Sequence, residues 1–176
     1  MPINSFLNYL SFEKKYSQHT ITAYKNDLNS FQLFYNREFD SENISDVNYS
    51  QIRNWIVDLV DSKVSNRTIN RKLSSLKSFY KYLQKTKQIE ISPMVKHQAL
   101  KISKQIQVPF SEKEIMNVLN AMDENIDFES IRNKLIVELL YSTGARRSEL
   151  INVKVSDIDF VNETVKVLGK RNKERY

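Results

Sequence analysis

Ser65-Asn66-Arg67-Thr68-Ile69-Asn70-Arg71-Lys72-Leu73-Ser74-Ser75-Leu76-Lys77-Ser78-Phe79-Tyr80 divides into two faces. Ile69, Leu73, Leu76 and Tyr80, continued by Leu83, recur at steps of three and four, the spacing of an amphipathic helix. Ser65 is placed to cap it. Opposite the apolar stripe lie Arg67, Arg71, Ser74, Ser78 and Lys85, with Lys77 and Lys81 on the flanks. That face is basic and rich in hydroxyls with no acid, as a helix laid on a duplex should be.

Working outward toward the N-terminus, three more stripes of the same period appear. Ile3, Phe6, Leu7 and Leu10 mark a first helix. Ile21, Tyr24, Leu28, Phe31 and Tyr35 mark a second, with Ser17 as its cap. Ile52, Trp55, Ile56 and Leu59 mark a third, begun by Asn48 or Ser50. Four such helices can bury one shared core, so residues 1–88 read as a helical domain. Pro93 and Pro109 bracket a stretch where the period lapses and Lys96, Lys101 and Lys104 occur, so 89–110 reads as an extended basic linker.

The rest, 111–176, reads as a second domain, α+β in character. Ser111-Glu112-Lys113-Glu114 has the form of a capping box. A helix follows, with Ile115, Val118, Leu119 and Met122 inward, and then another over 129–142 with Ile131, Leu135, Ile136, Leu139 and Leu140. After Glu149 the period falls to two. Val155, Ile158 and Phe160, then Val165, Val167 and Leu168, predict two strands about a turn at Asn162-Glu163, and a third strand starts at Glu174-Arg175-Tyr176.

Bulk composition narrows the function. The 176 residues include no Cys, which excludes disulfides and thiolate chemistry and fits a reducing cytoplasm. No apolar run approaches the roughly 20 residues of a membrane span, so no membrane partner is expected. The net charge of +6 is unevenly spread: residues 61–107 hold eleven Lys and Arg against two acids, the footprint of phosphate contacts.

The two glycines stand 25 residues apart, in Tyr141-Ser142-Thr143-Gly144-Ala145-Arg146-Arg147-Ser148-Glu149-Leu150 and in Val167-Leu168-Gly169-Lys170-Arg171-Asn172-Lys173-Glu174-Arg175. Singly, each is an ordinary helix cap or hairpin turn. Together they resemble the Thr-Gly-x-Arg-x-x-Glu-Leu box and the Gly-Lys-Gly-x-Lys-x-Arg segment of the tyrosine site-specific recombinases. Val153-Lys154-Val155-Ser156-Asp157-Ile158-Asp159 resembles the strand entry between them. Residues 65–80, and Tyr16-Ser17-Gln18-His19-Thr20 with Tyr24-Lys25-Asn26-Asp27-Leu28, resemble two helices of that family's core-binding domain. The order is the family's own along essentially the whole chain. The Xer subgroup, which resolves bacterial chromosome dimers, is the most similar; phage and transposon integrases share the same boxes.

The resemblance implies a mainly α fold: a four-helix, SAM-like core-binding domain, then the beginning of an α+β catalytic domain with a small antiparallel sheet. It implies strand cleavage and rejoining through a 3′-phosphotyrosyl link, with no cofactor and no metal, by four subunits on two DNA sites. It makes Arg146 the guanidinium on the scissile phosphate, with Arg147 as rival, and Lys170 the donor to the leaving 5′-oxygen, with Lys173 as rival. Glu149 then orients the arginine or its helix. Arg171 replaces the family's second glycine, which alters the turn. It makes double-stranded DNA the partner of Thr20, Lys25, Arg67, Arg71, Ser74, Lys77, Lys81 and Lys104. Neither His19 nor His97 begins a His-x-x-Arg pair, and no tyrosine fits the nucleophile's place. The chain therefore reads as an N-terminal fragment that binds DNA without cleaving it. A non-catalytic DNA-binding regulator and a helical protein-interaction module are the other readings; the second leaves the basic segment unexplained.

Overall fold

A computed structural model describes residues 2–104, 106–122, 127–169 and 173–176. The chain divides into two units, Met1–Gln105 and Ile106–Tyr176.

In the first unit, α1 (Pro2–Asn8) runs into a π-helical turn (Tyr9–Glu13), followed by α2 (Gln18–Phe39), α3 (Tyr49–Asp61) and α4 (Asn66–Lys85). The starts are set by short polar side chains that accept otherwise unpaired N–H groups. Ser17 accepts from Thr20, Ser65 from Thr68, and Asn48 forms a reciprocal capping box with Gln51. Asn48, not Ser50, is thus the cap of α3.

The four stripes meet in one core. Phe6, Leu28, Phe31, Ile52, Trp55, Ile69, Leu73, Leu76, Tyr80 and Leu83 are all essentially inaccessible. Leu7, Tyr24 and Ile56 pack at its margin. The core also takes in Phe79, Ile44 and Val47, which lie off the stripes or between helices. Burying each large apolar side chain contributes about 1.5–3 kcal/mol before the cost of ordering it. Phe6 meets Tyr24 and Phe79 edge-on, and Phe31 packs on Trp55 with ring centroids 4.9 Å apart. Tyr80 keeps its hydroxyl satisfied by donating to the Ile44 carbonyl at 2.7 Å.

Most of the segment that reads as a linker packs with the first unit. Met94 is buried in the core, and Ile89 and Leu100 pack against it. Asn66 donates to the Lys101 carbonyl, and Asn70 pairs with the Leu100 backbone.

Among the described residues, the second unit contains α5 (Glu112–Met122), α6 (Phe128–Thr143), α7 (Arg147–Ile151), a 3-10 turn (Val155–Asp157) and four two-residue strands. The capping box holds: Glu114 accepts from the Ser111 N–H at 2.8 Å while Ser111 Oγ accepts from the Glu114 N–H. β1 (Ile158–Asp159) pairs antiparallel with β2 (Thr164–Val165), with Ile158 opposite Val165. β3 (Val167–Leu168) pairs antiparallel with β4 (Glu174–Arg175), with Val167 opposite Arg175.

Local polar groups shorten the expected strands. Asp157 closes a turn with the Lys154 backbone in both directions, which places Val155 in the 3-10 turn rather than a strand. Asp159 accepts from the Val161 and Asn162 N–H groups and ends β1, so Phe160 stands exposed in a loop. Lys166 donates its N–H to the Asp157 carbonyl and separates β2 from β3. The helical stripes of this unit are less covered than their pattern predicts: Val118, Ile131, Leu135 and Ile136 are exposed, as is Tyr141. Among the described residues of this unit only Ala145 and Glu149 are buried. An apolar stripe is covered only where another surface meets it, and these short elements offer little.

Candidate functional site

The elbow between α6 and α7 is built around a glycine. Gly144 caps α6 in the left-handed region (φ +61°) and donates its N–H to the Leu140 carbonyl. A Cβ there would meet nothing within 4 Å, so the backbone conformation rather than space calls for glycine. The next two residues turn the chain and place Arg146 immediately before α7 in an extended conformation.

Glu149, in the first turn of α7, folds back onto Arg146. Its Oε2 accepts the Arg146 backbone N–H at 2.9 Å and its Oε1 accepts Arg146 Nη1 at 2.8 Å. A second guanidinium arrives from β4: Arg175 Nη2 also donates to Oε2. The Glu149 side chain is only 3% exposed, whereas those of Arg146 and Arg175 are 66% and 46% exposed. The Arg146 backbone N–H, then its guanidinium, then the charge of Arg175 hold the Glu149 carboxyl below the usual range against the opposing effect of burial. One buried carboxylate between two guanidinium groups leaves a unit positive charge facing solvent.

The other glycine serves a close approach. Gly169 donates to the Lys173 carbonyl at 2.7 Å, and a Cβ on it would lie 3.3 Å from Glu149 Oε1. Lys170, the expected proton donor, lies outside the described residues. Lys173 and Arg147 are exposed. Lys166 is engaged with Glu174 across 3.1 Å. Of the two rival arginines, Arg146 is the one seated on Glu149.

On the first unit the basic face of α4 gains an acid from α2. Asp27, 3% exposed at its side chain, accepts from Arg71 Nη1 at 2.5 Å and from Ser75 Oγ at 2.8 Å, with Lys72 at 3.7 Å. The face is therefore not acid-free, because a helix wheel of α4 alone omits its neighbours. Glu13 likewise approaches Lys85. Arg71 remains 53% exposed, anchored at one end and open at the other.

Thr20, Arg71 and Ser74 line one shallow groove of about 390 Å³ with Tyr24 and Ser75. Ser78 bonds Tyr24 across 3.5 Å and opens onto a larger cleft of about 640 Å³, where Lys81 and Lys85 meet Lys14 and Tyr16. Lys25 is not in either groove; it lines a separate hollow with Pro2, Ile3 and Asn29. Arg67, Lys77 and Lys104 are exposed and line neither groove.

Asp27 and Arg175 were not singled out from the sequence. Asp27 interrupts the apolar stripe of α2 between Tyr24 and Phe31, and a carboxylate in that place needs a cationic partner. Arg175 ends the second glycine-containing segment. No group of three or more potential metal ligands occurs among the described residues, and no helix there is long and apolar enough to cross a membrane.

Residues 3–87 match the family model for the phage integrase N-terminal SAM-like domain, and residues 109–176 match that of the phage integrase family. The chain belongs to this family, the tyrosine recombinases. It is 39% identical over 178 residues to tyrosine recombinase XerC of Anoxybacillus flavithermus, covering 99% of this chain and 57% of that protein. It is 37% identical to the XerC of Pediococcus pentosaceus, covering 99% of this chain and 58% of that protein. The chain thus spans little more than half the length of these relatives. Its fold is similar to a lambda integrase dimer bound to a COC′ core site, with a TM-score of 0.73 at 17% identity over 99% of this chain and 46% of the other. It is also similar to XerH bound to a difH substrate before cleavage, with a TM-score of 0.63 at 21% identity over 89% of this chain and 47% of the other.

Proposed function

We propose that this chain grips duplex DNA and supplies two of the groups with which a Xer-type tyrosine recombinase breaks and rejoins a strand. The observation that carries this reading is the exposed guanidinium of Arg146 seated on the buried Glu149. Attack on a phosphodiester builds negative charge on the non-bridging oxygens. A guanidinium that never loses its proton, held from behind by a carboxylate, can take that charge without reorganising. Lys170 gives a proton to the departing 5′-oxygen. A tyrosine hydroxyl attacks and releases its proton to solvent, the phosphorus–oxygen bond to the 5′-oxygen breaks, and the 3′-phosphotyrosyl link retains the phosphodiester energy. No metal or nucleotide cofactor enters this scheme.

Thr20, Arg71, Ser74 and Lys81 form the DNA-facing surface of the first unit, with Arg67, Lys77 and Lys104 beside it and Lys25 on a separate stretch. The XerC relatives favour chromosome dimer resolution, by four subunits on two duplexes, over integration of a mobile element. The 176-residue chain, with no His-x-x-Arg pair, is expected to bind duplex DNA and to form no covalent adduct on a nicked suicide substrate. In a protein of the relatives' full length, Arg146→Ala is expected to abolish the adduct and spare binding. Undiminished adduct in that variant would sink the assignment.

A further inference from the structure

The two arginines on Glu149 differ in origin: Arg146 belongs to the elbow, whereas Arg175 comes from a strand, 26 residues beyond Glu149 in sequence. We propose that Arg175 is a positioning residue which, by occupying Oε2 of Glu149, stops that carboxylate from capturing Arg146, keeps the cluster net positive and leaves the Arg146 guanidinium open toward an anionic phosphate. The inference rests on the reading of Arg146 as a phosphate-binding group.

An isolated arginine and carboxylate tend to meet fork to fork, with two parallel N–H···O bonds. In that state Arg146 would spend two donors on Glu149, and the pair would be neutral. Here it spends one side-chain donor, Nη1 on Oε1, while Oε2 is filled by the Arg146 backbone N–H and Arg175 Nη2. A guanidinium has five donors, so the rest of its fork is left for a ligand. The charges agree: with Arg175 the cluster carries +1, without it zero.

The surroundings hold the arrangement in place. The antiparallel register sets Arg175 opposite Val167 and Glu174 opposite Leu168, so β4 delivers the side chain from a hydrogen-bonded pair. Gly169 continues β3 and lies so near Oε1 that a Cβ would be 3.3 Å away, which lets the hairpin back the carboxylate. Glu149 cannot turn outward to water without giving up all of these contacts.

The test uses the 176-residue chain and two probes, inorganic phosphate and a short duplex. NMR follows the Arg146 side-chain Nε–H and the Glu149 carboxyl carbon. In the native chain phosphate is expected to shift the Arg146 signal, and Arg146→Ala to remove that site. Arg175→Ala is expected to weaken phosphate about five- to tenfold, the effect of one partly screened charge plus lost donors. It is also expected to raise the Glu149 titration, and Arg175→Lys to recover part of the affinity. The decisive comparison repeats Arg175→Ala in a Glu149→Gln background, where the loss should shrink because no carboxylate remains to capture Arg146. An equal loss in both backgrounds makes Arg175 an independent charge and overturns the proposal. An unchanged affinity in a folded Arg175→Ala chain also overturns it. If Arg175→Ala does not fold, Arg175→Met, which fills similar space without charge or donor, decides instead: native phosphate affinity in that folded variant would overturn the proposal. No response of Arg146 to either probe in the native chain would instead remove the phosphate reading beneath it.

Discussion

Asn70 holds the backbone of Leu100 with two hydrogen bonds of 2.9 Å, its Nδ2 donating to the carbonyl and its Oδ1 accepting the N–H. One side chain on α4 thus imitates a strand partner for a segment 30 residues further on, and Asn66 repeats half of the device one turn earlier at Lys101.

Asn70→Ala should release this strap. Two part-buried hydrogen bonds are worth about 1–3 kcal/mol together. The expected outcome is faster amide exchange at 98–102 with the α2–α4 core still protected. Uniform loss of protection across the first unit would show that the strap is part of the core and not an attachment to it.

Asp27 is the buried carboxylate on which Arg71 and Ser75 converge. Asp27→Asn keeps the shape but removes the charge, and should destabilise the first unit by about 1–3 kcal/mol in a denaturant melt. The figure is discounted because Arg71 is half exposed. Duplex binding by the folded variant should weaken only modestly, since Arg71 keeps its charge and loses only its anchor. A variant as stable as the native chain would refute the structural part of this claim.

Acid should loosen the second unit through its caps. Glu114, Asp127, Glu149 and Asp159 are all held below the ordinary carboxyl range. The causes are, respectively, the Ser111 backbone N–H, the Ser130 hydroxyl, the Arg146 backbone N–H and the Asn162 side chain. A carboxyl depressed by folding stabilises fully above its unfolded value, near pH 4. That contribution is lost as pH falls through the folded value. Amide protection at 111–114, 127–130, 146–149 and 159–162 is expected to hold at pH 6 and decline below about pH 4. Loss on raising the pH instead would contradict the sign.

Lys63 follows α3 with φ +58°, a left-handed position occupied by a residue with a side chain. That conformation costs an L-residue about 1–2 kcal/mol, partly offset in glycine by its greater unfolded freedom. Lys63→Gly should therefore raise the stability of the first unit by about 0.5–1 kcal/mol. A thermal melt reads the change, and a lowered Tm would count against it.

Affinity for duplex DNA should fall steeply with salt. A face engaging about five phosphates gives a log–log slope near −4.5. Lys81→Ala is expected to reduce that slope by about one unit if Lys81 meets a phosphate. A slope unchanged by the substitution would place Lys81 outside the contact.

The core of the first unit was legible in the residue order because helical burial repeats along the chain. Ile69, Leu73, Leu76, Tyr80 and Leu83 announce one face of α4 by spacing alone, and the structure buries all five. Ser17, Ser65, Ser111 and Gly144 were legible for the same reason: a cap acts on backbone groups within four residues of itself. The strands were harder. Asp157 and Asp159 close local turns that compete with extension, and Val155 and Phe160 follow those turns into solvent. Residue order by itself thus determined which side of each long helix is apolar, several of the caps that bound those helices, and that Arg146 lies just beyond a helix-capping glycine. Only the tertiary structure decided which buried carboxylate each arginine meets. Arg71 finds Asp27 at a separation of 44 residues and Arg175 finds Glu149 at 26. Such pairs carry no period along the chain, because a partner across two packed elements is chosen by how those elements dock.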